Sequence, residues 1–88
     1  MIKIYTVPRC KYCKKVKEYL NLKNVGYEEV DMSVGGNKNT IEMKKKFKQL
    51  GLKTYPVIIL DEGTENELIF PEYDEKILED IARKENEQ

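Results

Sequence analysis

The stretch TVPRCKYCKK, residues 6–15, holds the only two cysteines of the chain, Cys10 and Cys13. Around them stand Arg9, Lys11, Lys14, Lys15 and Lys17, with no acid across residues 9–17. Cysteines at this spacing can close into a disulfide when the first sits at a helix N-terminus, because residues three apart are neighbours on a helix. A bridge over so short a loop constrains the unfolded chain very little. Its value is therefore chemical: a pair that opens and closes. The flanks supply the fold that would present it. IKIYT (Ile2–Thr6) alternates in polarity and reads as a strand, which Pro8 ends. After Cys10, the residues Cys13, Val16, Tyr19 and Leu20 recur on one side of a helix with lysines on the other, and Asn24 and Gly26 are its stop signals.

Downstream, YEEVDM (27–32) reads as a second strand and SVGGNKN (33–39) as a loop. Gly35 and Gly36 match neither a phosphate loop nor a dinucleotide fingerprint. Asn39 followed by Glu42 has the spacing of a helix N-cap with its capping-box partner. The helix so opened is expected to carry Ile41, Met43, Phe47 and Leu50 inward and Lys44, Lys45, Lys46 and Lys48 mostly outward, with Gly51 as its stop. PVIIL (56–60) is a continuous apolar run, as expected of a strand covered on both faces. A short turn then leads to ELIF (67–70), which should pair with it as an antiparallel hairpin. Pro71 breaks the chain. Asp74 caps a last helix with Ile77, Leu78 and Ile81 inward, and residues 83–88 form a polar tail expected to fray. The order β-α-β-α-β-β-α predicts an α/β fold: a four-stranded mixed sheet with helices on both faces, in a single domain spanning 1–88.

Composition narrows the function classes. The 88 residues balance 16 Lys and Arg against 16 Asp and Glu, which argues against a nucleic-acid binder. The charge is nonetheless divided, since residues 61–80 hold nine acids against Lys76 alone. No apolar window is long enough for a membrane span. The N-terminal residues lack an apolar signal-peptide core, so the cytoplasm is the expected compartment. Histidine is absent, which removes imidazole acid–base catalysis and imidazole metal ligation.

A thiolate at a helix N-terminus meets unpaired N–H groups and the positive end of the dipole. With cationic neighbours, such settings lower a thiol pKa from about 8.5 into a range of about 3.5–7.5. Cys10 is thus the expected nucleophile. Cys13, one turn on and inward, is the expected resolving thiol that attacks the mixed disulfide. Two other readings stand beside this one. The pair could be half of a zinc site, although structural zinc takes four ligands and two sulfurs without imidazole supply too few. It could also be an inert pair of small residues, which the charged loop around Cys10 argues against.

With the order of elements and these residues in place, the sequence resembles the glutaredoxins, members of the thioredoxin superfamily, over nearly its whole length. CKYC is similar to the family's Cys-Pro-Tyr-Cys, with Tyr12 kept and Lys11 in place of proline. TYPVIIL resembles the Thr-Val-Pro segment that opens the third strand. The resemblance implies a thioredoxin-like fold, a cis Tyr55-Pro56 peptide beside the dithiol, and a substrate backbone that pairs with Tyr55. Read without the family, Pro56 is a strand-opening proline. The resemblance further implies that Arg9, Lys11, Tyr12, Lys53, Thr54, Tyr55, Pro56 and Asp74 face the substrate, with Asp74 also readable as a helix cap.

Two departures shape the expected function. Val7 stands where family members often carry a lysine, with Arg9 near enough to replace the charge. Phe70 and Pro71 stand where glutathione-binding members have two glycines, and Glu72 adds a negative charge. Proline has no N–H to offer, and a carboxylate repels an anionic ligand end. The expected function is a dithiol–disulfide oxidoreductase, monomeric, acting on disulfide-containing client proteins. Its electrons would come from glutathione or a thioredoxin reductase, as in the small glutaredoxin-like electron donors it also resembles. No permanently bound cofactor and no metal are expected, with glutathione at most a co-substrate. Lys11 is expected to favour the thiolate and a moderately oxidising potential. The alternatives are an iron–sulfur cluster carrier and a non-catalytic adaptor with a thioredoxin fold.

Overall fold

The computed structural model describes residues 2–33, 38–71 and 73–86. Gly35, Gly36 and Glu72 lie outside the described residues. The elements run β1 (Ile2–Thr6), α1 (Lys11–Leu22), β2 (Glu28–Asp31), α2 (Lys38–Gln49), β3 (Val57–Leu60), β4 (Leu68–Phe70) and α3 (Glu75–Asn86). This is the predicted order.

The sheet order is β2-β1-β3-β4. β1 pairs parallel with β2, Lys3 opposite Glu28 through Thr6 opposite Asp31. It pairs antiparallel with β3, Ile2 opposite Leu60 through Tyr5 opposite Val57. The hairpin adds β4 antiparallel to β3, with Ile59 opposite Ile69. The parallel neighbours follow from the helical crossover between β1 and β2.

Strand side chains alternate between faces, so each central strand feeds two cores. Ile2, Ile4, Ile58 and Leu60 pack with Val16 and Leu20 of α1 and Leu78, Ile81 and Ala82 of α3. Tyr5, Val57 and Ile59 pack on the other face with Met32 and with Phe47 of α2. All of β3 is buried, which explains its uninterrupted apolar sequence.

Two helices stop by the same device. At the end of α1, Asn24 has a left-handed φ of 57°, the Asn24 N–H donates to the Asn21 carbonyl, and the Val25 N–H donates to that of Leu20. At the end of α2, Gly51 has φ 75°, with Gly51 bonded to Lys48 and Leu52 to Phe47. Both are Schellman closures, built on the two residue types that best tolerate the left-handed conformation.

Four expectations need correction. α2 begins at Lys38, so Asn39 lies inside the helix and is not its N-cap. Ile41 and Leu50 are 46% and 52% exposed, while Thr40 is buried. The inward stripe of α2 runs Thr40, Met43, Phe47; Ile41 stands about 100° round the helix from Thr40, and Leu50 lies past the last helical residue. Finally, α3 runs on through Asn86, so the first four residues of the expected tail are helical.

Candidate active site

β1 delivers the chain to the site. After Thr6, Val7 and Pro8, Arg9 takes a left-handed φ of 60° and Cys10 becomes the N-cap of α1 with φ −98° and ψ 109°. An N-cap normally offers a side-chain oxygen to a free N–H of the first turn. Here sulfur does so: the Cys13 N–H donates to Cys10 Sγ at 3.1 Å. The first turn of α1 contains no acid that could compete for its positive end. Cys10 and Cys13 are joined in a disulfide with their Cα atoms 5.2 Å apart. Cys13 is 2% exposed and Cys10 is half-buried, so the first sulfur faces outward and the second inward.

Across the pair lies the turn into β3. Tyr55-Pro56 is a cis peptide, and the Tyr55 carbonyl oxygen stands 3.7 Å from Cys10 Sγ. Pro56 is buried, and the Tyr55 ring meets Phe47 edge-on with centroids 6.4 Å apart. Two clefts flank the sulfurs. One, of about 650 Å³, is lined by Arg9, Lys11, Lys14 and Lys17 beside both cysteines, with Glu29 and Asp31 at its β2 side. Glu29 accepts from Lys17 Nζ at 3.0 Å and from the Thr6 hydroxyl at 2.8 Å, and these two donors hold its carboxyl below the ordinary value. Asp31 is likewise held low, by the hydroxyl and N–H of Ser33.

The other cleft, of about 470 Å³, is lined by Tyr12, Thr54, Tyr55 and Tyr73. The Tyr12 and Tyr73 rings stack with centroids 5.0 Å apart and planes 20° from parallel, and Lys15 Nζ lies 5.6 Å from the Tyr12 centroid. Burial raises the pKa of Tyr55, and burial with the nearby Glu75 raises that of Tyr73, so both stay neutral phenols.

The structure therefore gathers Arg9, Cys10, Lys11, Tyr12, Cys13, Thr54, Tyr55 and Pro56 around one disulfide. Lys53 is exposed just before Thr54 and lines neither cleft. Asp74 serves the helix: its Oδ1 accepts from the N–H groups of Lys76 at 2.9 Å and Ile77 at 3.3 Å. Sequence reasoning missed Tyr73, which no local pattern connects to Tyr12. It also missed the pairing of Lys17 with Glu29, where the only sign was an acid on β2 facing a basic helix. Among the described residues, no group of three or more Cys, Asp or Glu is placed to hold a metal ion, and no helix is long and apolar enough to cross a membrane.

The sequence model of the glutaredoxins matches residues 2–63, which carry β1 to β3, both cysteines and Tyr55-Pro56. The chain belongs to the glutaredoxin family, a family of thiol–disulfide oxidoreductases. It is 47% identical over 62 residues to a glutaredoxin-like 8.6 kDa protein of the rubredoxin operon of Clostridium pasteurianum, covering 69% of this chain and 76% of that one. It is 37% identical over 58 residues to glutaredoxin 1 of Rickettsia bellii, covering 66% of this chain but only 59% of the relative. Among solved structures, the glutaredoxin-like NrdH-redoxin of Escherichia coli superposes with a TM-score of 0.72 over 91% of this chain and 92% of its own. At 18% identity that likeness speaks for the thioredoxin-like fold alone. β4, α3 and Tyr73 lie beyond the residues that the family model matches.

Proposed function

We propose that this glutaredoxin-family protein reduces disulfides in client proteins, with Cys10 as nucleophile and Cys13 as resolving thiol. The observation that carries the reading is the Cys13 N–H aimed at Cys10 Sγ from the first turn of α1. The same donor, the helix dipole and the cations Arg9 and Lys11 would favour a Cys10 thiolate over a thiol. That thiolate attacks one sulfur of the client. The client S–S bond breaks, the departing sulfur takes a proton from water, and a mixed disulfide forms. Cys13 gives its proton to solvent and attacks Cys10, which releases the second client thiol. Two electrons pass to the client, and the protein is left in the disulfide form.

The second half of the cycle needs a reductant, and we assign it to a thioredoxin reductase in preference to glutathione. Pro71 has no N–H with which to hold a small peptide, and Tyr73 occupies space beside Tyr12. The Escherichia coli neighbour, whose fold this chain shares, is described as having a thioredoxin-like activity profile. In this reading the protein works as a monomer in the cytoplasm. Tyr12, Thr54, Tyr55 and Pro56 meet the client, Lys53 sits beside them, and Asp74 acts through the position of α3.

The test has two parts. Cys10→Ser should lose disulfide reduction by at least about a hundredfold, whereas Cys13→Ser should accumulate a client mixed disulfide visible by mass spectrometry. The oxidised protein is then offered NADPH with a thioredoxin reductase, or glutathione with its own reductase. Dithiol turnover in Cys10→Ser would sink the catalytic assignment, and faster reduction by glutathione would reverse the assignment of the electron source.

A further inference from the structure

We propose that Tyr73 is a specificity-determining residue: with Tyr12 and Tyr55 it forms an aromatic cleft that selects client disulfides carrying an aromatic or large apolar side chain next to the reacting cysteine. The inference rests on the dithiol reading above and adds a substrate class to it.

Three observations meet at this cleft. It adjoins the outward sulfur, because Tyr55 contributes both a lining side chain and the carbonyl oxygen 3.7 Å from Cys10 Sγ. Its lining is three phenol rings and Thr54, with Lys15 Nζ 5.6 Å from the Tyr12 centroid at its edge, whereas the cleft that holds both cysteines is lined by four cations and two carboxylates. A flat side chain finds ring faces and edges there on which to stack, in the cleft of Tyr12, Tyr55 and Tyr73. Third, Tyr73 stands at the start of the α3 segment, yet it stacks on Tyr12 in the first turn of α1. The wall is thus closed by a residue from a distant part of the chain, held in place by the Asp74 cap that fixes the first turn of α3 next to it. Tyr73 is half-buried, packed against the core between the sheet, α1 and α3 as well as on Tyr12, and its phenol stays uncharged, so the wall keeps its apolar character at neutral pH.

A client cysteine that reaches Cys10 must place its neighbouring side chain on one side of the sulfurs or the other. On the Tyr55 side, that side chain enters the aromatic cleft. An added aromatic pair of this kind changes a rate by about three- to tenfold when it forms on the way to the mixed disulfide. No step beyond the exchange already described is required.

The experiment is a competition. Reduced protein is mixed with an excess of two peptide disulfides that are identical except for Phe or Ser after the cysteine. The released thiols are quantified by mass spectrometry, and the same pair reduced by dithiothreitol gives the intrinsic ratio. Both peptides are neutral at the variable position, so the cationic cleft does not bias the result. The wild type should prefer the Phe peptide by about three- to tenfold over the dithiothreitol ratio. Tyr73→Ala should bring the preference close to the dithiothreitol ratio, and Tyr73→Phe, which keeps the ring, should retain it. Because each preference is a ratio measured on one variant, altered Cys10 reactivity cancels. A wild type without preference, a Tyr73→Ala variant that keeps it, or a Tyr73→Phe variant that loses it overturns the inference. A wild type that reduces neither peptide overturns the dithiol reading instead.

Discussion

Sulfur replaces oxygen at the cap of α1, and the chemistry of the protein follows from that exchange. A Ser or Asp in that place would satisfy the same N–H and end there; a cysteine keeps the bond while gaining a redox partner at Cys13. This much was legible, because a two-residue spacing, a preceding strand and a following amphipathic helix are all local signals. The approach of Tyr55-Pro56 came from resemblance, since the peptide isomer leaves no trace in composition or periodicity. Tyr73 was not legible at all: its stacking on Tyr12 is a product of how α3 docks. Lys11 offers the sharpest test at this scale. It is exposed beside Cys10 and lines the cationic cleft. An exposed charge acts through screened solvent, so its influence is modest. Lys11→Glu should raise the Cys10 thiol pKa by up to about half a unit, read from thiolate ultraviolet absorbance against pH. An unchanged titration would remove Lys11 from the account and leave Arg9, the N–H of Cys13 and the helix dipole.

The elements were easier to foresee than their phases. Strand positions followed from alternation and from the buried run of β3, and the hairpin from its short turn. α2 shows where the reading slipped. Its apolar residues are sparse, so Ile41 and Leu50 could be drawn into a stripe that the docked helix does not use; Phe47 and Met43 set the phase, and Thr40 completes it. α3 is the opposite case, with Leu78, Ile81 and Ala82 buried against α1 and the sheet, and a cap read correctly from one aspartate. That cap is exposed, so its loss would remove the two accepted N–H bonds without opening the core. Asp74→Ala should destabilise the fold by about 1 kcal/mol, measured by urea denaturation with an unchanged m-value. Asp74→Ser or Asp74→Asn should recover most of that. If alanine costs nothing, α3 is held by its apolar face alone.

Across the whole molecule, charge ties together what the hydrophobic pattern only stacks. Lys3 and Tyr5 lie two residues apart on β1, one of the two inner strands of the sheet, and both reach Glu62, just past the end of β3. Lys3 Nζ stands 2.9 Å from the carboxylate, and the Tyr5 hydroxyl donates to its other oxygen. Burial alone would raise the pKa of Glu62, but the Tyr5 hydroxyl and the Lys3 ammonium outweigh it and leave the group below its ordinary 4.5. The Lys3 pKa is raised above 10.5 by the same bond. A carboxyl depressed in the folded state contributes stability that is present above pH 4.5 and is lost as pH falls through the folded-state value. A lysine raised in the folded state contributes stability that is present below pH 10.5 and is lost as pH rises beyond it. The pair therefore supports the sheet across the neutral range and fails at both ends. Glu62→Gln should destabilise the protein at pH 7 by about 1 kcal/mol, the value of a charge-assisted bond discounted for partial solvent access. Other carboxylates, Glu29 and Glu67 among them, are also held low and will weaken both proteins in acid. The informative quantity is thus the difference between the two proteins, followed by thermal melts from pH 7 to about pH 3. That difference should shrink steadily as Glu62 of the wild type takes up its proton. A gap that stays constant to the acid end would mean that shape, and not charge, makes Glu62 fit between Lys3 and Tyr5.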